Sequence, residues 1–303
     1  MATVPYGDSF TTRPAQGAKR KWWKLAAAAV VGGAGAWWGL TPAPQIEEAG
    51  VAAVVVHHET PAAMAQEVRG AEAIRRCRDA LLAAQKKLEA SPAMTAVFQK
   101  QERIDGKLQP LNVMDVKVRR EPLAVYMKWQ KPDAGQELIW REGAFDGQIL
   151  VSPAGWRRKV MPMVKIDPFG DMAMATSKRP ITNMGIWNFT NRLLGSLDGD
   201  LTRDPSVDVV MTTGDEISGR VCDRYQFELA RPSKLAGFQK FIIFVDRTLG
   251  VPVACECYRW DEEAKTPTIH LEESYAFRDL NLQAPLTDAD FDHANPAYLF
   301  TAK

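Results

Sequence analysis

The residues able to do chemistry in this chain are few, and their spacing argues against most of the reactions they could serve. Asp288, Asp290 and Asp292, in "LTDADFDHANPAY", imitate the opening of a calcium loop. Such a loop needs Gly at its sixth position and Glu at its twelfth, where this chain has His293 and Leu299. The stretch therefore reads as a solvated terminal turn. His57–His58 lacks the second His of a zinc helix, and His270 and His293 add no ligand spacing, so no metal is expected. No GxSxG, P-loop or paired CxxC occurs, and no cofactor is expected. Cys255 and Cys257, two apart on a strand, face one side instead of forming a redox motif. A bridge from Cys222 to Cys255 or Cys257 stands open beside free buried thiols. Asp115, Glu137, Glu142, Asp146, Glu272 and Glu273 could supply an acid/base pair for hydrolysis. Alternation sets Asp115 beside Lys117 and Arg119, where cross-strand ion pairing is the ordinary use. An enzyme is accordingly the last of three readings.

The elements that carry these residues are mostly strands. In "MDVKVRREPLAVYMKWQKP" Met114, Val116 and Val118 point one way and Asp115, Lys117 and Arg119 the other. Leu123, Val125, Met127 and Trp129 likewise oppose Ala124, Tyr126, Lys128 and Gln130. Period two over this length predicts an antiparallel hairpin with one wet face and one apolar wall. Phe98, Leu138 and Trp140 extend the wall from neighbouring strands, and Ile242, Phe244, Tyr258 and Trp260 from later ones. Turn signals at Asp105–Gly106 and Asp146–Gly147 separate further strands, "WRRKVMPMVKI" among them. After a loop at Asp167–Pro180 the strands resume with "VCDRYQFELA", "FQKFIIFVDRTLG", "VPVACECYRWDEE" and "IHLEESYAFRDLNL".

Two segments are helical in pattern. Between Glu67 and Ala90, Ile74, Cys77, Leu81 and Leu82 recur at three- to four-residue spacing, and Ser91–Pro92 closes the run. In Ile181–Leu197, Ile186, Phe189, Leu193 and Leu194 share a side. Helix, strands, helix and strands again predict a mainly β, α+β fold. One large antiparallel sheet with the two helices segregated to one face accounts for that order, and a sheet of this size must curl or leave its concave face to be covered.

The N-terminus addresses the chain. Lys19, Arg20, Lys21 and Lys24 precede the apolar run Leu25–Leu40, flanked by Trp22, Trp23, Trp37 and Trp38. Basic residues on one side and interfacial tryptophans predict a signal anchor, N-terminus in the cytoplasm, with a cleaved signal peptide as the alternative. The expected layout is a cytoplasmic tail at 1–20, a transmembrane helix at 21–41, a linker at 42–66 and an exported domain at 67–300. That places the domain in the cell envelope on the periplasmic side. A net charge of +1 gives no electrostatic case for nucleic acid, and nothing fixes an oligomeric state.

"AVFQKQERIDGKLQPLNVMDVKVRREPLAVYMKWQKPDAGQELIWREG", "RPITNMGIWNFTNRLL" and "LTDADFDHANPAY" together resemble an uncharacterised domain-of-unknown-function family of exported bacterial proteins. That family is similar in its order of elements to the LolA-like periplasmic lipoprotein carriers. The resemblance implies a large curved antiparallel half-barrel with two helices over its concave face, and an apolar cavity that receives acyl chains. Met114, Val116, Val125, Met127, Trp129 and Trp140 are then its expected lining. Met161, Met163, Met172, Met174, Met184 and Ile186 form a Met-rich cover, since unbranched Met repacks around varied ligands. The leading expectation is thus a membrane-tethered domain that binds a lipid or lipoprotein acyl chain. The second is an interaction or sensor domain with a filled core and an outer binding face.

Overall fold

The computed structural model describes residues 67–261 and 268–300, and the backbone pairing of His57 and His58. The tail, anchor and linker expected before residue 67 otherwise lie outside the described residues. Among the described residues no helix is long and apolar enough to cross a membrane.

In chain order the elements are β1 (His57–His58), β2 (Glu67–Arg69), α1 (Gly70–Leu88), β3 (Ala93–Ile104), β4 (Lys107–Leu108), β5 (Asn112–Arg119), β6 (Ala124–Lys131) and β7 (Glu137–Arg141). They continue with β8 (Ile149–Ser152), α2 (Arg157–Val160), β9 (Val164–Ile166), α3 (Asp171–Met174) and α4 (Ile186–Asp198). The last are β10 (Asp208–Ile217), β11 (Arg220–Glu228), β12 (Lys240–Asp246), β13 (Val251–Trp260) and β14 (Ile269–Asn281). The protein is mainly β, and its ladders are antiparallel with few helices. The chain divides into two compact units. Of the described residues the first takes 57–58, 67–91, 186–261 and 268–274, the second 92–185 and 275–300.

In the first unit β10, β11, β12 and β13 follow one another as neighbours, with β1 and β2 both on β10. Helix α1 buries Ala73, Cys77, Leu81, Ala84 and Leu88, one turn apart along a single stripe. The stripe is shifted from the expected one, for Leu82 is exposed. Cys77 and Leu81 of the expected stripe are fully buried, and Ala73 and Ala84 complete the packed side in place of Ile74 and Leu82. Glu72 lies in its first turn, where a carboxylate suits the positive end of the helix dipole. Helix α4 buries Ile186, Trp187, Phe189, Leu193, Leu194 and Leu197. Both helices pack on β13 and on each other. Gln85 Nε2 donates to Asn191 Oδ1 at 2.8 Å, Arg78 pairs with Asp198, and Trp187 Nε1 donates to the Leu88 carbonyl at 3.1 Å. That carbonyl, at the helix end, also accepts from the Ser91 N–H at 3.1 Å.

All four cysteines are free and buried, which decides the open question about a bridge. Strand β10 has no counterpart in the sequence reading. Its bulge between Thr213 and Asp215 breaks the alternation by which a strand is recognised.

In the second unit β3, β5, β6, β7, β8 and β9 pair in that order. The turn between β3 and β4 has Asp105 and Gly106 at φ 48° and 76°. Two positive φ values in a row are what a two-residue hairpin loop requires. "WRRKVMPMVKI" is not one strand. It breaks into α2 and the short β9, because Pro162 lacks the N–H a ladder needs.

Candidate functional site

Pairing across the second unit assembles the wall in three rows. Phe98 lies opposite Met114, and Met114 opposite Trp129. Ala96, Val116, Met127, Leu138, Val151 and Val164 form the second row, and Met94, Val118, Val125 and Trp140 the third. Residues directly opposite in antiparallel strands share a face, so these side chains make one continuous apolar surface. All are buried except Val164, which is half-buried. The indoles keep their polar atoms satisfied at its margins. Trp129 Nε1 donates to Asn112 Oδ1 at 2.9 Å and Trp140 Nε1 to the Gly147 carbonyl at 3.2 Å.

The expected lining is therefore brought together: Met114, Val116, Val125, Met127, Trp129 and Trp140 lie on one face. The expected cover is dispersed. Met184 is buried, Met172 and Met174 are half-buried on α3, and Met161 and Met163 are exposed. Ile186 opens α4, in the first unit, and is fully buried there.

A polar node stands at the end of this face. Lys100 and Glu102 follow Phe98 at every second position of β3, so they share its side. Glu102 is 2% exposed. It accepts hydrogen bonds from the Tyr275 hydroxyl, from the Lys178 backbone N–H at 3.1 Å and from Lys100 Nζ at 3.2 Å. Lys100 Nζ also donates to the Thr176 carbonyl at 3.2 Å and to Ser177 Oγ at 3.1 Å. Burial pushes the Glu102 carboxyl up, but the Lys100 charge with the Tyr275 and Lys178 donors outweighs it and leaves the carboxyl below its ordinary value. Tyr275 and Phe277 stack on Phe98 with centroids 6.2 and 4.9 Å away. The segment following α3 is thus pinned to β3 by hydrogen bonds to the charged ends of Lys100 and Glu102. Sequence reasoning missed this node. Its signal was two charged residues at inward positions of "FQKQERI".

The opposite face is not wet. The C-terminal segment covers it: Phe291, Tyr298 and Phe300 pack with Ala124, Tyr126, Ile139 and Leu150 in one buried cluster. Tyr298 stacks on Tyr126 at 4.1 Å. Lys117 Nζ donates to Asp290 Oδ1 at 2.7 Å and to the Tyr298 hydroxyl at 3.1 Å, and Arg119 pairs with Asp288 at 2.5 Å. The Leu299 N–H donates to Glu137 Oε2 at 2.6 Å and Ser152 Oγ to the Leu299 carbonyl at 2.9 Å. The run of "LTDADFDHANPAY" therefore docks as a strap through Asp290, Phe291 and Tyr298, while Asp288 and Asp292 stay exposed as expected of a terminal turn. Thr287 and Asp290 close it into a reciprocal cap. Burial alone would lower Lys117 and raise Asp290; their pairing reverses both.

Elsewhere a cavity of about 10 Å³ in the first unit is lined by Asp200, Leu201, Gly237, Phe238, Phe241 and Cys257. That volume is roughly one water at most. Among the described residues no three His, Cys, Asp or Glu side chains converge as a metal site would require.

Residues 91–300 match the family described as Protein of unknown function (DUF1571). The chain belongs to that family. No curated protein matches this DUF1571 chain by sequence. Solved structures similar to it include the lipoprotein LppX of Mycobacterium tuberculosis, at 12% identity and TM-score 0.39, covering 74% of this chain and 100% of that one. A LolA superfamily protein from Nitrosomonas europaea is similar at 10% identity and TM-score 0.30, over 71% and 96%. A putative outer membrane lipoprotein-sorting protein domain from Vibrio parahaemolyticus is similar at 11% identity and TM-score 0.33, over 72% and 97%.

Proposed function

We propose that this DUF1571 domain binds an apolar ligand, a lipid or lipoprotein acyl chain, on the three-row wall of its second unit. The segment Asp171–Pro180 acts as its cover. The observation that carries this reading is the contrast between wall and fastening. The wall is an unbroken run of apolar side chains, whereas the segment bearing Met172 and Met174 is held by Lys100 and Glu102 through polar contacts. A cover fastened by hydrogen bonds lifts without first breaking an apolar core. An acyl chain then gains about 0.8 kcal/mol per methylene it buries. Binding needs no covalent step, and no enzymatic activity is assigned. In this reading the sheet curls as a half-barrel, residues 21–41 anchor the chain, and the domain works on the exported side.

The test is uptake of a fluorescent fatty-acyl probe by detergent-free protein, with native mass spectrometry of the same sample. Stoichiometric probe binding, weakened by Met127→Asp, supports the reading. A homogeneous mass that takes up no acyl probe ends it. The rival reading, a filled core with an outer protein-binding face, draws on a separate observation: Trp156, Val160 and Phe169 stand in solvent.

A further inference from the structure

Nine large apolar side chains are exposed among the described residues, and five of them lie between Trp156 and Phe169. Trp156 is 73% exposed, Val160 75% and Phe169 65%, with Met161 and Met163 also out. Concentrated exposure of this kind costs solubility and marks a contact surface. The same stretch is basic. "WRRKVMPMVKI" carries Arg157, Arg158, Lys159 and Lys165 and no acidic residue, so it holds +4 in a chain whose net charge is +1. Arg157 reaches Asp133 at 3.1 Å and Lys165 reaches Asp146 at 3.2 Å, while Lys159 lies exposed beside Val160. The amphipathic pieces α2 and β9 are too short to span anything. Tryptophan, methionine and phenylalanine flanked by arginine and lysine are instead the composition that settles at the headgroup–acyl boundary.

We infer that the stretch from Trp156 to Phe169 is a docking surface for an anionic lipid bilayer. Its apolar side chains enter the interface, and Arg158 and Lys159 meet acidic headgroups. Asp167 is the one acidic residue between Trp156 and Phe169, so the surface keeps a net charge of +3, which suits acidic headgroups. The inference stands apart from cargo binding, which depends on the wall and not on these residues.

The experiment places an environment-sensitive fluorophore on Val160→Cys in the full chain, the four native thiols being buried. Vesicles of phosphatidylcholine are compared with vesicles containing phosphatidylglycerol. A second label at Leu235→Cys, exposed but in the first unit, reports any general association that the N-terminal segment causes in both lipids. Expected are a blue shift and quenching by lipid-borne nitroxide at position 160 only, stronger with phosphatidylglycerol and weakened by salt. Arg158→Glu with Lys159→Glu should reduce partitioning by about thirtyfold or more, from the contribution of each basic residue near an anionic surface. Equal responses at 160 and 235, or none at 160, overturn the inference. So does a shift at 160 that grows with protein concentration without lipid. Acyl uptake through the wall, read by Met127→Asp, would survive either failure.

Discussion

Replacing Glu102 by Gln separates a fastening from a core element. Gln keeps the shape and one acceptor, so Tyr275 or the Lys178 N–H retains a partner. The charge that Lys100 faces at 3.2 Å disappears. Hydrogen bonds to charged groups contribute roughly 1.5–3 kcal/mol each, so Glu102→Gln should weaken the hold on residues 176–178 by about that amount. At about 1.4 kcal/mol per tenfold, local opening rises on the order of ten- to a hundredfold. Hydrogen exchange followed by mass spectrometry reads this directly. The peptide containing Thr176, Ser177 and Lys178 should exchange faster, while peptides from α1 keep their protection. Pairing Glu102→Gln with Lys100→Met completes a cycle in which the double variant is less damaged than the sum of the singles. A uniform rise in exchange across both units, with no excess at 176–178, would refute the reasoning and make Glu102 an ordinary buried ion.

Phe291→Ala should destabilise the second unit by about 3–5 kcal/mol, since its ring is fully buried. The melting temperature then falls roughly 6–20 °C, and an unchanged melt would mean that the strap does not pack in solution. Acid should release the strap and the Glu102 node together. Asp288, Asp290 and Glu102 all sit below their ordinary values, so their stabilisation is complete above the unfolded carboxylate range and is lost as pH falls below about 4. Near-ultraviolet circular dichroism follows the loss, and Asp290→Asn should flatten part of it; a profile insensitive to that change contradicts the pairing with Lys117. The buried thiols should resist a disulfide reagent in the native state. Burial, aided by Asp246, pushes the Cys222 thiol up to about 12, and fast labelling at neutral pH would show that it is open. Met127→Ala should cost about 2–5 kcal/mol and Met163→Ala under about 0.5, measured by urea unfolding; equal costs would deny that one is packed and the other solvated.

The wall was legible because alternation in β5 and β6 is nearly unbroken, and period two dictates shared faces whatever the register. What covers each face was not legible. The polar side of β5 and β6 has Lys117 and Arg119 beside Ala124 and Tyr126. Nothing local distinguishes cations that meet water from cations that meet Asp290 and Asp288 about 170 residues later. The polar node escaped for a related reason: Lys100 and Glu102 satisfy each other only once Tyr275 and Lys178 arrive. Met161 and Met163 were grouped with Met172 and Met174 by composition. Pro162 and the basic run before it set them in solvent instead. Helix α1 was found from its period and Cys77 and Leu81 lie on its packed side, but the edge of that side was misplaced because Ala73 and Ala84, not Ile74 and Leu82, make the close approach.

The strap has a consequence for how the chain is made. The β-ladders from Ala93 to Ile166 leave the ribosome early, but Tyr275, Phe291 and Tyr298 follow more than a hundred residues behind. Until they emerge, Tyr126, Ile139 and Leu150 have no lid and Glu102 lacks its hydroxyl donor. A nascent chain at that stage exposes oily strand surface on the side its own tail will later seal, an interval in which a holding factor or rapid completion of synthesis must keep it from clumping.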